Sequence, residues 1–252
     1  MWNSYISRDI IKTIKSIHSN HSNWFYFRKN NSRMEDENIY TTLAYFQFCR
    51  NKKKNNDRNN SYSPEEIDIY KVGSKINFRV KSKNEITRAL ENSDFKDDFI
   101  KAINHLEFDF IRKLKRLLSN DDNTPTATLS KNLDDIFMVG NARRTQQSFY
   151  ALWYFLFDIP IESIDNSKRC IRTDLKKLFS DMANIEDKLT FEQYVLDFKS
   201  QYSISNETKN YETAFLTEIA TISIGIKKNN STSSLTQRNI FENSIKYNYI
   251  SM

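Results

Sequence analysis

The sequence predicts a mainly α-helical protein, a multi-helix bundle with at most one short β-hairpin. Apolar residues recur every three or four positions along most of the chain, which is the period of an amphipathic helix. Glycine and proline are scarce, with 3 of each in 252 residues. Because β-rich and nucleotide-binding α/β folds need glycine at turns and close backbone approaches, this scarcity favours helices joined by Asn- and Ser-based turns.

An isoleucine stripe predicts the first helix over residues 5–18, with Ser7 as its N-cap. The Asn/Ser-rich turn expected after it holds His18 and His21. The aromatic run that follows, residues 24–27, predicts a buried aromatic cluster or a short strand.

Ser32, with Glu35 three residues later, forms a capping box that begins the second predicted helix. This helix is expected to end near Arg50. The next stretch, residues 51–60, holds no apolar side chain and predicts an exposed basic loop.

Alternation of apolar and polar residues over 67–80 predicts the hairpin. A long helix is predicted over 95–118, since its apolar residues keep helical spacing throughout. Later helices are predicted over 129–139, 143–157, 170–184, 190–202, 207–225 and 235–249, the second of them apolar nearly all round and therefore central. The predicted organisation is an N-terminal helical subdomain (1–120) with the basic loop 51–60, a linker (121–128) and a C-terminal helical subdomain (129–252), with one continuous domain as the alternative.

The composition excludes several classes of protein. The two cysteines, Cys49 and Cys170, are far apart and belong to no metal-ligand pattern, so neither a disulfide scaffold nor a zinc site is expected. The reducing cytoplasm is the expected compartment. No run of 18 apolar residues occurs, so no membrane partner is expected.

The residue patterns predict no catalytic residue, no metal and no cofactor. No nucleophile motif accompanies the three histidines, and no phosphate-binding or dinucleotide fingerprint is present. The Arg-x4–6-His pattern of helical ribonucleases is not met, since Arg8 precedes His18 by ten residues. Whether the protein is an enzyme stays open, leaning towards no. The enzyme alternative is a site around Arg33, Asp36 and Glu37, against simple pairing of these residues across a helical turn.

The net charge of +6 lies in the first quarter of the chain, where residues 1–60 hold 11 Lys and Arg against 5 Asp and Glu. This asymmetry indicates an anionic partner, with a solvated loop as the alternative. The candidate nucleic-acid-binding residues form two sets, Lys52, Lys53, Lys54 and Arg58, and then Arg112, Lys113, Arg116, Arg143 and Arg144. A third basic cluster is Lys168, Arg169 and Arg172. Because a helix start is electropositive, Arg143 and Arg144 are expected to have a partner, either Asp134 or Asp135, or a phosphate.

The segment 33–37 (Arg-Met-Glu-Asp-Glu), running into residues 43–46 (Leu-Ala-Tyr-Phe), resembles a stretch in the helical C-terminal half of GmrS-type proteins. These are the ParB-like subunits of GmrSD modification-dependent restriction systems. The later helices follow a similar order, and a closing helix contains Arg238 and Glu242. The ParB-like half of that family, with its Asp-Gly-Gln-Gln-Arg motif, has no counterpart here. The resemblance therefore implies a detached helical half without nuclease or nucleotide chemistry, working with a complementary subunit.

Charge placement and resemblance together predict a non-catalytic helical module that binds nucleic acid or a nucleoprotein complex, in a bacterial or phage defence system. The alternative is a protein–protein interaction subunit, an adaptor or an inhibitor, because Tyr and Trp are the residues that dominate such interfaces. The sequence does not distinguish DNA from RNA.

Overall fold

The computed structural model describes residues 5–28, 34–54, 67–73, 75–81, 83–121, 123–137, 144–184 and 187–203, and this part of the protein is mainly α-helical, as predicted. The helices are α1 (Arg8–His21), α2 (Glu35–Lys54), α3 (Lys83–Glu91), α4 (Lys96–His105), α5 (Arg112–Leu118), α6 (Thr126–Phe137), α7 (Gln146–Leu156), α8 (Ile161–Asn184) and α9 (Lys188–Ser203). The strands are β1 (Ile67–Val72) and β2 (Lys75–Val80).

The two strands form the predicted hairpin. They pair antiparallel with Ile69 opposite Phe78, and Gly73 takes the left-handed conformation (φ +61°) that the turn requires. Alternate residues of β2, Ile76, Phe78 and Val80, are buried, since every second side chain of a strand shares one face. The hairpin packs on α7, α8 and α9.

The first helix begins and ends three residues later than predicted, so His18 and His21 lie on α1 and not in a turn. Ser7 caps α1 as expected, since its hydroxyl accepts from the Asp9 N–H at 3.3 Å. The His21 ring lies 3.3 Å from a Glu107 carboxylate oxygen and packs edge-on against Trp24. These contacts hold the last turn of α1 in helical form.

The second helix also continues past its predicted end, to Lys54, so the predicted basic loop 51–60 begins as helix. Lys52 Nζ lies 2.5 Å from Asp98 Oδ2 and 5.3 Å from the centre of the Phe95 ring. This charge-assisted contact with α4 stabilises a last turn whose composition favours a loop.

The helix predicted over 95–118 is continuous, but its middle is a π-helical segment, Leu106–Ile111, between α4 and α5. A π-helical turn is wider than an α-helical turn, so residues four and five positions apart share a face. Leu106, Phe110 and Ile111 are therefore all buried, and Phe108 lies on the opposite, exposed side.

The core is built around α7, whose residues are buried nearly all round, as predicted. Phe149 of α7 packs against Phe25 at a ring-centre distance of 4.9 Å, and Phe155 packs against Phe78 and Phe179 at 5.7 and 5.5 Å. The aromatic run 24–27 forms no strand, and its first two residues join this core. Aromatic side chains thus supply the buried area that the modest aliphatic content does not.

Helices from both sides of the predicted linker 121–128 contact each other, α5 with α6 and α8, and α2 with α7. The division into subdomains at this linker stays a prediction. α6 begins inside the linker, because Pro125 is well suited to a helix start and its carbonyl accepts from the Leu129 N–H at 3.1 Å. α8 begins well before residue 170 and bends at Ser167. The helices predicted over 207–225 and 235–249 lie outside the described residues.

No helix in the described part of the chain combines the length and the apolar character that crossing a bilayer requires.

Candidate nucleic-acid interface

The continuous helix from α4 to α5 presents one exposed face with a regular composition. Its members recur at spacings of three and four residues, the spacing at which side chains on a helix are neighbours. We call them the exposed stripe: Lys101, Asn104, Phe108, Arg112 and Lys115. At 1.5 Å per residue the stripe is about 20 Å long. At its N-terminal end Lys101 lies 3.5 Å from Asp98, whereas Arg112 and Lys115 at its C-terminal end pair with no carboxylate in the described part, and Phe108 lies in the middle.

The C-terminal end of the stripe borders a groove of about 440 Å³ between α5 and α8, the α5–α8 groove. Its charged residues are the cations Arg112, Lys115, Arg116 and Lys168 and the carboxylates Asp121 and Asp165. Arg116 pairs with Asp165. Among the described carboxylates, none is ion-paired with Arg112, Lys115 or Lys168. The groove therefore carries a positive excess that is open to solvent.

A second concave surface, the α2–α4 cleft, has a volume of about 630 Å³. Its cations are largely neutralised by carboxylates within it. The pairs are Lys52 with Asp98 at 2.5 Å, Lys113 with Asp109 at 2.7 Å and Arg50 with Asp158 at 2.5 Å. These ion pairs join α2, the α4–α5 helix and the turn after α7, so the cleft serves packing more than anion binding.

The nine predicted contact residues therefore separate in space. Arg112 and Arg116 meet in the α5–α8 groove, whereas Lys113, one position along the same helix, is buried against Asp109 and the Phe157 carbonyl. Lys52 is paired within the cleft. Lys53 and Lys54 close α2, and their side chains, with Arg58 and Arg143, lie outside the described part of the structure.

Arg144 is a structural residue. Its guanidinium donates to Asp134 at 2.6 Å, to the Trp24 and Tyr26 carbonyls at 3.2 and 2.7 Å, and to the Ser130 carbonyl at 2.9 Å. Of the two partners predicted for it, the structure shows the carboxylate Asp134. Because the side chain is buried and its donors are engaged inside the protein, Arg144 does not belong to an exposed anion-binding surface.

Several residues of the groove and the stripe, including Lys115, Lys168 and Phe108, were not among the predicted contact residues. Lys168 comes from the third basic cluster, about 50 positions away from Arg116 in sequence, and only the packing of α8 on α5 brings it into the groove. The apolar periodicity places Phe110 in the core and leaves Phe108 off the buried stripe, but one outward aromatic residue in a sequence does not by itself indicate a binding site.

Two residues of the enzyme alternative, Asp36 and Glu37, lie beside His18. Its ring nitrogens lie 3.6 Å from an Asp36 oxygen and 3.7 Å from a Glu37 oxygen. Asp36 also accepts from the Phe27 N–H at 2.5 Å, and burial raises the pKa of this carboxyl. Arg33 lies outside the described residues. In the described part of the chain, no three metal-ligating side chains are grouped to hold a metal ion.

We expect Asp36→Ala to lower the free energy of unfolding by about 1–3 kcal/mol, because the Phe27 N–H would lose its acceptor. Asp36→Asn keeps an acceptor and removes a buried charge, so at pH 7 it should be at least as stable as the wild type. Because folding raises the pKa of Asp36, the folded wild type takes up a proton on this carboxyl at a higher pH than the unfolded chain does. The wild type therefore loses the cost of the buried charge as the pH falls. The advantage of the Asn variant should therefore shrink between pH 7 and pH 4 in urea denaturation. Equal losses in both variants at pH 7 would contradict this account.

Comparison with known proteins finds no matching family model, no matching curated protein and no matching solved structure.

Proposed function

We propose that this protein is a non-catalytic helical module that binds the phosphate backbone of a nucleic acid, on its own or within a nucleoprotein complex. The observation that carries the proposal is the α5–α8 groove, where four cations face two carboxylates. Arg112 and Lys115 are exposed there and pair with no carboxylate in the described part. Exposed Arg and Lys side chains supply the sequence-independent part of nucleic-acid affinity.

The resemblance of residues 33–46 to GmrS-type proteins extends this proposal to a role beside a complementary subunit in a restriction-like defence system. The α5–α8 groove would bind phosphates in the same way with or without a complementary subunit, because phosphate contacts do not depend on base sequence.

Titration of wild-type protein into labelled single-stranded RNA, single-stranded DNA and duplex DNA tests the proposal. If the three unpaired groove cations, Arg112, Lys115 and Lys168, each neutralise one phosphate, the logarithm of affinity for a single strand should fall with the logarithm of salt with a slope of about 2. Arg112→Glu with Lys115→Glu should lower that slope by roughly 1.4 and weaken binding about tenfold or more.

The matched control is Lys83→Glu with Arg88→Glu on α3, which changes the net charge by the same amount at another exposed surface. This control should bind nucleic acid like the wild type. The Arg88–Glu85 ion pair that it removes is exposed and weak, so its loss should not disturb the fold. If the control weakens binding as much as the groove variant, the groove has no special role and net charge alone is responsible. If the wild type binds none of the three nucleic acids, the proposal fails.

Protein–protein binding is the second candidate function. It is favoured by α9, where Leu189 and Leu196, seven residues apart on one side of the helix, are 72% and 56% exposed. Large apolar side chains grouped on a surface mark interaction sites. Light scattering at physiological salt would detect self-association through this face.

A further inference from the structure

The exposed stripe holds a feature that phosphate binding alone does not use. Phe108 is 67% exposed, although its neighbours Leu106 and Phe110 are buried. Position 108 is two residues from each of these buried neighbours, about half a helical turn, so its ring faces away from the core. The ring therefore contributes little to the packing of the core, and a single aromatic residue in this position is free to meet a ligand.

The surroundings of Phe108 match a polyanion. Along the stripe, Asn104 lies one turn before it and Arg112 one turn after it. The two acidic neighbours are already engaged, since Glu107 lies 3.3 Å from His21 and Asp109 lies 2.7 Å from Lys113. Asp109 is neutralised by Lys113, whereas burial lowers the pKa of His21, so this histidine does not neutralise Glu107 at pH 7. Arg112 is the cation beside the ring, and an aromatic ring next to an unpaired arginine lets a base stack while an adjoining phosphate is bound.

We infer that Phe108 is a base-stacking platform, and that the nucleic acid bound by the stripe is single-stranded. This inference rests on the proposed function. In a duplex each base is already stacked and paired, and its face is not available to a side chain, whereas unpaired bases expose both faces to an aromatic ring. Stacking requires no particular base, so the predicted preference is for strandedness and not for sequence.

The test compares wild type with Phe108→Ala and Phe108→Trp, using a single-stranded oligonucleotide, an abasic strand of the same length and a duplex. Phe108→Ala should bind the single strand about 5- to 100-fold more weakly. Its salt slope should not change, because no phosphate contact is lost. Phe108→Trp should keep wild-type affinity, and the wild type should bind the abasic strand as weakly as Phe108→Ala binds the normal one.

Val72→Ala on β1 is the matched control, since it removes another exposed apolar side chain, 58% exposed, and should not alter binding. Circular dichroism melting confirms that each variant is folded. If Phe108→Ala binds like the wild type while Arg112→Glu with Lys115→Glu loses affinity, the stacking inference is wrong and the proposed function stands. Equal weakening towards single strand and duplex would also overturn it. If the wild type binds neither the single strand nor the duplex, the stacking inference and the proposed function are both wrong.

Discussion

Arg144→Ala is expected to lower the free energy of unfolding by about 3–5 kcal/mol, because the buried guanidinium is the donor to two buried backbone carbonyls and to the half-buried carboxylate of Asp134, and each buried group left without a partner costs about 1–3 kcal/mol. Without the guanidinium, the Asp134 carboxylate and the backbone carbonyls of Trp24, Tyr26 and Ser130 lose their hydrogen-bond donor. It also removes a cation that lies 4.3 Å from the centre of the Tyr26 ring. This one side chain ties the segment after α1 to α6, so its loss should weaken the junction of three elements.

Arg144→Lys should give an intermediate loss, since an ammonium keeps the charge but does not reproduce the planar array of donors. Arg88→Ala, which removes an exposed arginine from α3, should change stability by less than about 0.5 kcal/mol. Urea denaturation monitored by circular dichroism measures all three variants. A stable Arg144→Ala protein that has lost nucleic-acid affinity would contradict the structural role and assign this arginine to phosphate binding instead.

Phe78→Ala should cost about 3–5 kcal/mol, the usual effect of truncating a fully buried phenylalanine. The ring packs against Tyr154, Phe155 and Phe191 at centre distances of 5.7, 5.7 and 6.3 Å. These contacts anchor the hairpin on α7 and α9. An isolated two-stranded hairpin is marginal in water, so the truncation should also release the strands from the helices.

Val72→Ala provides the control within the same hairpin, because Val72 is 58% exposed and its truncation should change stability by less than about 0.5 kcal/mol. Hydrogen exchange then locates the effect of Phe78→Ala. Amides of β1 and β2 should lose protection while those of α1, α2 and α4 keep it. Uniform loss of protection in all elements would show that the hairpin and the helices unfold as one unit.

Several helix ends depended on contacts that no local pattern contains. α1 extends to His21 because the His21 ring contacts Glu107 and Trp24. α2 extends to Lys54 because Lys52 pairs with Asp98. In sequence these partners of α1 and α2 are up to 86 residues away. Local propensity therefore places such ends too early, since it omits the free energy of the tertiary contacts that extend them.

The candidate site was only partly predictable for a related reason. The macrodipole argument predicted a partner for Arg144, either a carboxylate or a phosphate, and the structure shows the carboxylate of Asp134. Nothing in the run from Arg112 to Arg116 shows that Lys113 turns inward to Asp109 while Arg112 stays exposed, because the π-helical segment just before it changes the phase of the helix.

The helical class, the hairpin and the buried face of most helices could be predicted from the spacing of apolar side chains, which is a property of each segment alone. Which cations remain available to an anionic partner could not, because that depends on how the helices pack. The packing of α8 on α5 places Arg116 and Lys168 in one groove. Lys52 and Arg144 are neutralised because packing places Asp98 and Asp134 beside them. Charge pairing depends on neighbours in space, and these neighbours are set by the fold as a whole.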